Sequence, residues 1–301
     1  PAMNVHMWQN LATVANVETL KSRNYLIVGP ESGRLACGET GAGKLASVEQ
    51  IVSATLYRLR ARGDLAGRRI VITAGPTHEP VDPVRYLSNA SSGKMGYAIA
   101  AAAAAHGAHV TLVSGPVSLP EPAGVGVIHV TTAAQMLEAT QDAFATADAA
   151  ILAAAVSDYR PEQAADHKLK KAAEPLENIT LAENPDILAT LSESRGERIV
   201  IGFAAETDNV LENARKKLAS KGCDLIVAND VSREDSTFGS DTNRVTLVGP
   251  HDELELDCMP KEQVAEAIID RLHDMLEPGE AGLDVAAADQ TLLMPRTDAT
   301  C

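Results

Sequence analysis

The chain has 301 residues, about twice the ~150 of an average domain, and its 45% hydrophobic and 22% charged content is that of a folded protein. This composition excludes a disordered chain. With 26 Lys and Arg against 41 Asp and Glu the net charge is −15, so the surface repels a phosphate backbone and nucleic-acid binding is set aside.

No apolar run approaches the roughly 18 residues of a membrane span. The longest, Ala98 to Ala105, is interrupted by His106 and Gly107 and reads as a helix outside any membrane. Cys37, Cys223, Cys258 and Cys301 are widely spaced and form no CxxC pair, so neither a disulfide framework nor a zinc site is indicated and a cytoplasmic location is expected. The opening Pro1-Ala-Met-Asn4-Val-His-Met-Trp8 lacks both the basic start and the apolar centre of a signal peptide, and reads as a chain cut from a longer one.

From Ser47 to Arg62, apolar residues at Val48, Ile51, Val52, Leu56 and Leu59 form one stripe of an amphipathic helix that ends near Gly63. Gly63 to Gly67 reads as a linker, which divides the chain into a partial domain over 1–64 and a main domain over 65–277. The residues before this boundary are too few to bury a full core alone and read as the remnant of a larger domain. Arg69–Thr73 is a strand, Met95–His106 an alanine-rich helix and His109–Val113 a second strand, together one right-handed βαβ unit. The alternation continues through strand Val127–Val130, helix Ala133–Phe144, strand Ala149–Ala154, helix Pro185–Ser192, strand Arg198–Phe203, helix Asn209–Lys221 and strand Asp224–Ala228. It predicts an α/β fold, a Rossmann-like mostly parallel sheet with helices on both faces. Arg244–Val248 and Leu254–Leu256 then suggest a hairpin, Lys261–Leu276 a last helix and 278–301 a mobile tail.

Ligands of such sheets bind beyond the carboxyl ends of the strands, so the polar segments that follow the strands are the ones to weigh. Gly38-Glu-Thr-Gly-Ala-Gly43-Lys44 nearly spells a phosphate-binding P-loop, but Leu45 stands where a magnesium-holding hydroxyl is required. No GxGxxG opens the first βαβ unit, which disfavours a nicotinamide-dependent reductase. Ser88-Asn-Ala-Ser-Ser-Gly-Lys-Met-Gly96 offers hydroxyls, an amide and an ammonium beside a helix start, the parts of an anion site; capping by Ser91 or Ser92 is the plainer alternative. Lys168-Leu-Lys170-Lys171 is a basic cluster in an acidic chain, or simply a solvated turn. Lys217 and Lys221 project from one helix face, as polyphosphate clamps or as ordinary surface charges. Asp158 could hold magnesium or a ribose hydroxyl, or cap a turn. Asn184-Pro185 reads as a helix cap followed by proline in the first turn. His106, His109, His129, His251 and His273 show no metal-ligand spacing.

Together, TAGPTHEPVDPVRYLSNASSGKMGYAIA, AAAVSDYRP, KLKK, ENPDIL, GFAAET and AND resemble, in order, the ligase signatures of the bacterial bifunctional phosphopantothenoylcysteine decarboxylase/phosphopantothenate–cysteine ligase family of coenzyme A biosynthesis. The similarity runs from Pro1 to about Leu276. The resemblance implies that residues 1–64 are the carboxyl-terminal part of a flavodoxin-like, FMN-dependent decarboxylase, with Asn4 holding substrate and Cys37 donating a proton to the enethiolate product. A thiol suits that task because its reference pKa of ~8.5 lies near neutrality. The upstream flavin-binding part of that family is not within this sequence, which leaves decarboxylation to the longer protein.

For the main domain the resemblance implies CTP-dependent ligation of 4′-phosphopantothenate to cysteine. The acid first attacks the α-phosphorus of CTP, releasing pyrophosphate, and the cysteine amine then displaces CMP. A carboxylate becomes an acyl donor only after such activation, and several anions must be neutralised together. In this reading Lys168, Lys217 and Lys221 bind the nucleotide. Asp158 joins them, with Mg2+, while Ala153, Ala154, Ala155, Asn184, Pro185, Asp186, Ile187 and Phe203 line the base and ribose pocket. Asn89, with Arg85 nearby, handles the acyl-cytidylate, and Lys94 serves either phosphate or only the helix start. A homo-oligomer, a ligase dimer with the late hairpin as a candidate edge, is also expected. The competing class is a protein that binds CTP without turnover, to which groups handling an acyl intermediate would be superfluous.

Overall fold

The computed structural model describes all residues except Asn24, Leu26, Ala36, Cys37, Glu39, Glu49, Ser53 and residues 56–62, 171–175, 233–238 and 278–301. Cys37, Lys171, the end of the helix read over Ser47–Arg62 and the tail thus lie outside the described residues.

In the amino-terminal part, helices α1 (Val5–Trp8) and α2 (Leu11–Ser22) each begin on an asparagine cap. Asn4 accepts from the His6 N–H at 2.8 Å and Asn10 from the Ala12 N–H at 3.0 Å. Strands β1 (Glu31–Arg34) and β2 (Thr40–Lys44) form an antiparallel hairpin. Thr40 to Lys44 of the glycine-rich run that imitates a P-loop are therefore extended strand, packed so closely on the chain start that a side chain at Gly43 would lie 2.2 Å from the Met3 carbonyl. The helical turns after Ser47 start on its hydroxyl, which accepts from the Gln50 N–H at 3.2 Å.

From residue 69 the order is β3 (Arg69–Ala74), β4 (His78–Pro80), β5 (Tyr86–Ser88), α3 (Lys94–Ala105), β6 (His109–Ser114), β7 (Val125–His129), α4 (Ala133–Phe144), β8 (Ala149–Leu152), β9 (Tyr159–Pro161), β10 (Leu181–Glu183) and α5 (Ile187–Glu193). It continues with β11 (Ile199–Glu206), α6 (Val210–Lys221), β12 (Leu225–Asp230), β13 (Thr242–Asn243), β14 (Val245–Val248), β15 (Glu253–Glu255), β16 (Met259–Pro260) and α7 (Lys261–Leu276). Eight strands make one sheet in the order β15-β14-β12-β11-β8-β3-β6-β7. Its six strands from β12 to β7 run parallel, and the hairpin β14–β15 is antiparallel. This is the mostly parallel sheet that the alternation of apolar runs predicts.

The central strands are covered on both faces, which is why they read as unbroken apolar runs. Ile70, Ile72 and Ala74 of β3 face α3 and α7, where Ile99, Ala103, Val264, Ile268 and Leu272 complete one apolar layer. Val71 faces the other layer, with Val113, Met136, Phe144, Leu188, Leu191 and Leu218. Burying each large aliphatic side chain contributes roughly 1.5–3 kcal/mol, while exposed ion pairs add little, so these two layers hold the sheet. The alanines of α3 combine high helix propensity with thin side chains, which lets α3 pack closely on α7 and on β3. His106, to which the sequence assigns no role, is buried and ties the turn before β3 to α7. Its ring nitrogens lie 3.2 Å from Asp64 and 2.9 Å from Glu266.

Three of the boundaries that differ from the sequence reading have a cause in side-chain or backbone chemistry. β8 stops at Leu152, because the Ala154 N–H leaves the ladder for the Thr73 hydroxyl at 3.2 Å. Helix α3 begins on Gly93 at φ 76° with no side-chain cap, so neither Ser91 nor Ser92 caps it; the Ser91 hydroxyl accepts from the Gly93 N–H instead. Helix α5 is capped by Asp186, whose carboxylate accepts from the Ala189 N–H at 2.8 Å, so Pro185 precedes the cap and Asn184 is freed for another task. At the sheet edge β15 is exposed along its length, with Glu253 paired to Arg215 at 2.6 Å.

Cys223 lies in the second apolar layer, where burial pushes its thiol up to about 11. The reactive thiolate is therefore scarce at pH 8. Iodoacetamide at that pH is expected to leave Cys223 unmodified in the native protein and to label it after denaturation, read by peptide mass spectrometry. Fast native labelling of Cys223 would contradict the packing described.

Candidate active site

The sheet's topological switch lies between β3 and β8, since the chain leaves β3 for β6 on one side and returns to β8 on the other. The crevice beyond such a switch is where open α/β sheets bind ligands. Here the β3/β8 pairing continues past the strand ends as a Pro76–Ala155 bridge. The Ala155 N–H donates to Gly75 and the Gly115 N–H to Ala74, both at 2.9 Å. Gly75 at φ 77° turns the chain here. A side chain at Gly115 would sit 1.8 Å from the Pro76 carbonyl. The junction therefore admits no Cβ.

Ala153, Ala154 and Ala155 thus line the end of β8, half-buried, and Val156 and Ser157 follow. The Ser157 N–H donates to the buried Thr77 hydroxyl at 3.0 Å. From the hairpin β4–β5, the Asn89 carboxamide donates to the Val156 carbonyl at 2.9 Å. From the opposite side, the Asn184 carboxamide donates to the Ser157 carbonyl and the Asn184 N–H to the Asp158 carbonyl, both at 2.8 Å. The two asparagines therefore brace one short stretch of chain, Val156 to Asp158, from two sides. The Asp158 carboxylate is exposed at its end.

The segment after β9 returns to the turn between β4 and β5. Asp82, whose side chain is 0% exposed, accepts from the N–H groups of Val84 and Arg85, both at 2.8 Å, through Oδ1. Its Oδ2 accepts from Arg85 Nε at 3.0 Å, from Arg85 Nη2 at 2.5 Å and from the Leu169 N–H at 3.2 Å. Arg85 Nη2 also donates to the Leu169 carbonyl at 3.2 Å. The Arg85 guanidinium, against the opposing effect of burial and with the three N–H groups adding to it, holds the Asp82 carboxyl far below the usual carboxylate range. Lys168 and Lys170, exposed, flank this fixed leucine.

A second group adjoins the first through the chain 184–187. Lys221 pairs with Asp186 at 2.6 Å, and Lys217 donates to the Phe203 carbonyl at 2.8 Å. Burial alone would raise the Asp186 carboxyl, but the Ala189 N–H and the Lys221 ammonium outweigh it and keep the group below its ordinary 3.8. Lys217, Lys221, Phe203, Asp186 and the neighbouring Pro185 and Ile187 are thus brought together by α5, β11 and α6.

Lys94 is not part of either group. Its ammonium is paired with Asp241 at 2.6 Å and donates to the Gly239 carbonyl at 3.1 Å. The buried Lys261 donates to the carbonyls of Ser240 and Thr242, so the two lysines hold the 239–242 segment between the starts of α3 and α7. Serving a phosphate, as expected from the sequence, would require the Lys94 ammonium to leave the exposed Asp241 carboxylate. Asn4 stands at the start of α1 as a helix cap.

Sequence reasoning missed Asp82, Thr77 and Glu79. Asp82 precedes Pro83 and accepts from the N–H groups two and three residues on, a turn that the run Asp-Pro-Val-Arg signals. Glu79 is 2% exposed and accepts from the Ala133 N–H at 2.9 Å, so it helps to cap α4. Nothing local announces Thr77 or Glu79, because their partners lie 80 and 54 residues away.

No group of three or more potential metal-ligating side chains occurs among the described residues. A single exposed carboxylate at a strand end fits a magnesium ion brought in on a polyphosphate, since that ion commonly takes one or two carboxylates and keeps phosphate oxygens and water. In the amino-terminal part Asn4 caps α1 through its Oδ1, and Cys37 lies outside the described residues.

Comparison with known proteins places the chain. Residues 65–276 match the DNA/pantothenate metabolism flavoprotein C-terminal domain family and residues 1–60 the Flavoprotein family. The coenzyme A biosynthesis bifunctional protein CoaBC of Vibrio parahaemolyticus is 45% identical over 278 residues, which cover 92% of this chain and 69% of that protein. The CoaBC protein of Escherichia coli K12 is 46% identical over 275 residues, 90% of this chain and 68% of its own. A crystal structure of the C-terminal domain of a CoaBC protein superposes with a TM-score of 0.62 at 43% identity, covering 72% of this chain and all of that one. No helix of the described residues is long and apolar enough to cross a membrane. With its fold, its crevice and these matches in agreement, the chain belongs to the family of coenzyme A biosynthesis bifunctional proteins, CoaBC.

Proposed function

We propose that residues 65–277 catalyse the CTP-dependent joining of 4′-phosphopantothenate to cysteine, as a soluble cytoplasmic enzyme and in a homo-oligomer. The observation that carries this reading is that Asn89 and Asn184 brace the stretch Val156 to Asp158 at the sheet's switch point, with the Lys217/Lys221 group adjoining it through residues 184–187 and the Lys168 loop tied to the turn of the hairpin that leads to Asn89. Such a site gathers cations and carboxamides within an otherwise acidic chain.

In the first half-reaction a carboxylate oxygen of phosphopantothenate forms a bond to the α-phosphorus of CTP and the bond to pyrophosphate breaks. The substrates and the leaving group are all anionic, so positioned cations dominate catalysis. Lys168, Lys217 and Lys221 supply them, and Asp158 would take a phosphate-bound Mg2+, which neutralises developing charge. Base and ribose would lie against Ala153 to Ala155, Asn184 to Ile187 and Phe203. In the second half-reaction the cysteine amine attacks the acyl carbon, CMP leaves with the bonding pair of the mixed anhydride, and the amine gives up one proton. Asn89, with Arg85, orients this step.

Residues 1–64 are proposed as the end of a decarboxylase domain whose FMN chemistry belongs to the longer protein, with Asn4 and Cys37 as its substrate-binding and proton-donating residues. The test of the ligase is direct. With phosphopantothenate, cysteine, CTP and Mg2+ the protein is expected to release pyrophosphate and CMP in equal amounts, and ATP in place of CTP to give much less. Pyrophosphate release that ignores phosphopantothenate rejects the ligase, and tight CTP binding without turnover favours a nucleotide-binding role.

A further inference from the structure

Asp82 belongs to none of the groups that the ligase reading assigns, yet its carboxylate makes more hydrogen bonds than any other near the crevice. Its side chain is fully shielded, and its five short contacts come from donors on two separate stretches of chain: Val84 and Arg85 on one, Leu169 on the other. Arg85 completes the arrangement from the other end of the same peptide unit set, because its Nη2 reaches the Leu169 carbonyl while Asp82 receives the Leu169 N–H. Both backbone polar groups of a single residue are thus gripped by one ion pair.

We propose that Asp82 is a positioning residue: with Arg85 it latches the backbone of Leu169 and thereby sets Lys168 and Lys170 at the mouth of the crevice. The proposal rests on the ligase reading for its consequence, although not for its geometry. The loop needs such a latch. Lys168 and Lys170 are long, flexible side chains on an exposed segment, and a cation contributes to a transition state only when its starting point is fixed. The neighbouring chain is tied into the same framework, since the Ala165 N–H donates to the Val81 carbonyl at 3.0 Å and the Val81 N–H to the Arg85 carbonyl at 2.8 Å. Arg85 also has a side chain 42% exposed, so its guanidinium can grip Asp82 on one edge and still meet a ligand on another.

The division of labour between the two oxygens makes the test clean. Among the described residues, Oδ1 serves only the local turn, while Oδ2 serves only Arg85 and Leu169. In Asp82→Asn the carboxamide oxygen can keep the turn, but an NH2 group then faces three donors and the latch opens. The Leu169 amide is expected to exchange with deuterium about tenfold faster or more, while the Ser157 amide, held by Thr77, keeps its protection. Turnover of phosphopantothenate, cysteine and CTP is expected to fall about a hundredfold, the cost of a misplacement near 1 Å.

Unchanged exchange at Leu169, or unchanged turnover in the variant, would overturn the proposal. If the wild-type protein makes no pyrophosphate from phosphopantothenate and CTP, the ligase reading fails by itself, and the exchange measurement still decides the latch. Should Asp82→Asn fail to fold, Leu169→Pro removes the latched N–H while leaving the Asp82–Arg85 pair in place. It is expected to lose turnover to the same degree, and wild-type turnover in that variant would equally refute the assignment.

Discussion

An Asn89→Ala variant is expected to release pyrophosphate at a measurable rate while forming the amide product on the order of a hundred- to a thousandfold more slowly, the usual cost of deleting one aligned polar group at a reacting centre. The asymmetry follows from what Asn89 touches. One N–H of its NH2 is committed to the Val156 carbonyl at 2.9 Å, which fixes the orientation of the carboxamide and presents its oxygen to a ligand. An acceptor at that position suits an attacking amine, whose N–H must be oriented and then lost, whereas the phosphate charge of the preceding step is met mainly by the lysine cations. Rapid-quench separation of the two half-reactions reads the difference, with accumulation of the acyl-cytidylate as its signature. Asn89→Asp is the sharper companion, because a carboxylate oxygen facing the Val156 carbonyl is repelled and the side chain must turn away. Equal slowing of pyrophosphate release and amide formation would remove Asn89 from the second step.

The sheet was legible in the sequence because its signal is repetitive and local. Ile70 to Ala74 are buried on both faces, and so is every residue of β8, so these strands read as apolar runs however the rest of the chain is arranged. Helices Ala133–Phe144 and Lys261–Leu276 begin and end where their apolar stripes do. The small antiparallel pairs β4–β5 and β9–β10 were not legible. Each strand has only three residues, too few to establish a period of two, and they fall within polar segments that otherwise read as loops. The same limit governs the crevice. Motifs identify Asn89, Asp158 and Asn184 as noteworthy residues, but their partners are backbone carbonyls of Val156 and Ser157, which have no side-chain signature. Asn184 illustrates the cost: spacing suggested a helix cap, whereas Asp186 two residues later caps α5 and Asn184 braces Ser157 instead. Lys94 likewise meets a partner, Asp241, that lies 147 residues away and has no local signal.

Gly115→Ala is expected to cost about 3 kcal/mol of stability, the upper part of the range for overpacking, and hence to lower the melting temperature by roughly 6–12 °C in a domain of this size. The added Cβ would lie 1.8 Å from the Pro76 carbonyl oxygen and 2.9 Å from its carbon, and both are backbone atoms that no rotamer change can move aside. Relief requires separating the end of β6 from the chain leaving β3. That chain carries the Pro76–Ala155 bridge and, one residue later, the Thr77 hydroxyl that holds Ser157. Turnover should therefore fall along with stability, by about a hundredfold if the shift reaches 1 Å. Gly126→Ala in the neighbouring β7 provides the control, because its added Cβ meets only the Val110 carbonyl at 3.6 Å, an ordinary contact, and a strand gains slightly from losing a glycine. A Gly115→Ala protein that melts and turns over like Gly126→Ala would mean that the three chains meeting at the switch are less tightly joined than described. A protein that loses stability but keeps full turnover would separate the junction from the crevice it frames, and the braced stretch from Val156 to Asp158 would then owe its position to Asn89 and Asn184 alone.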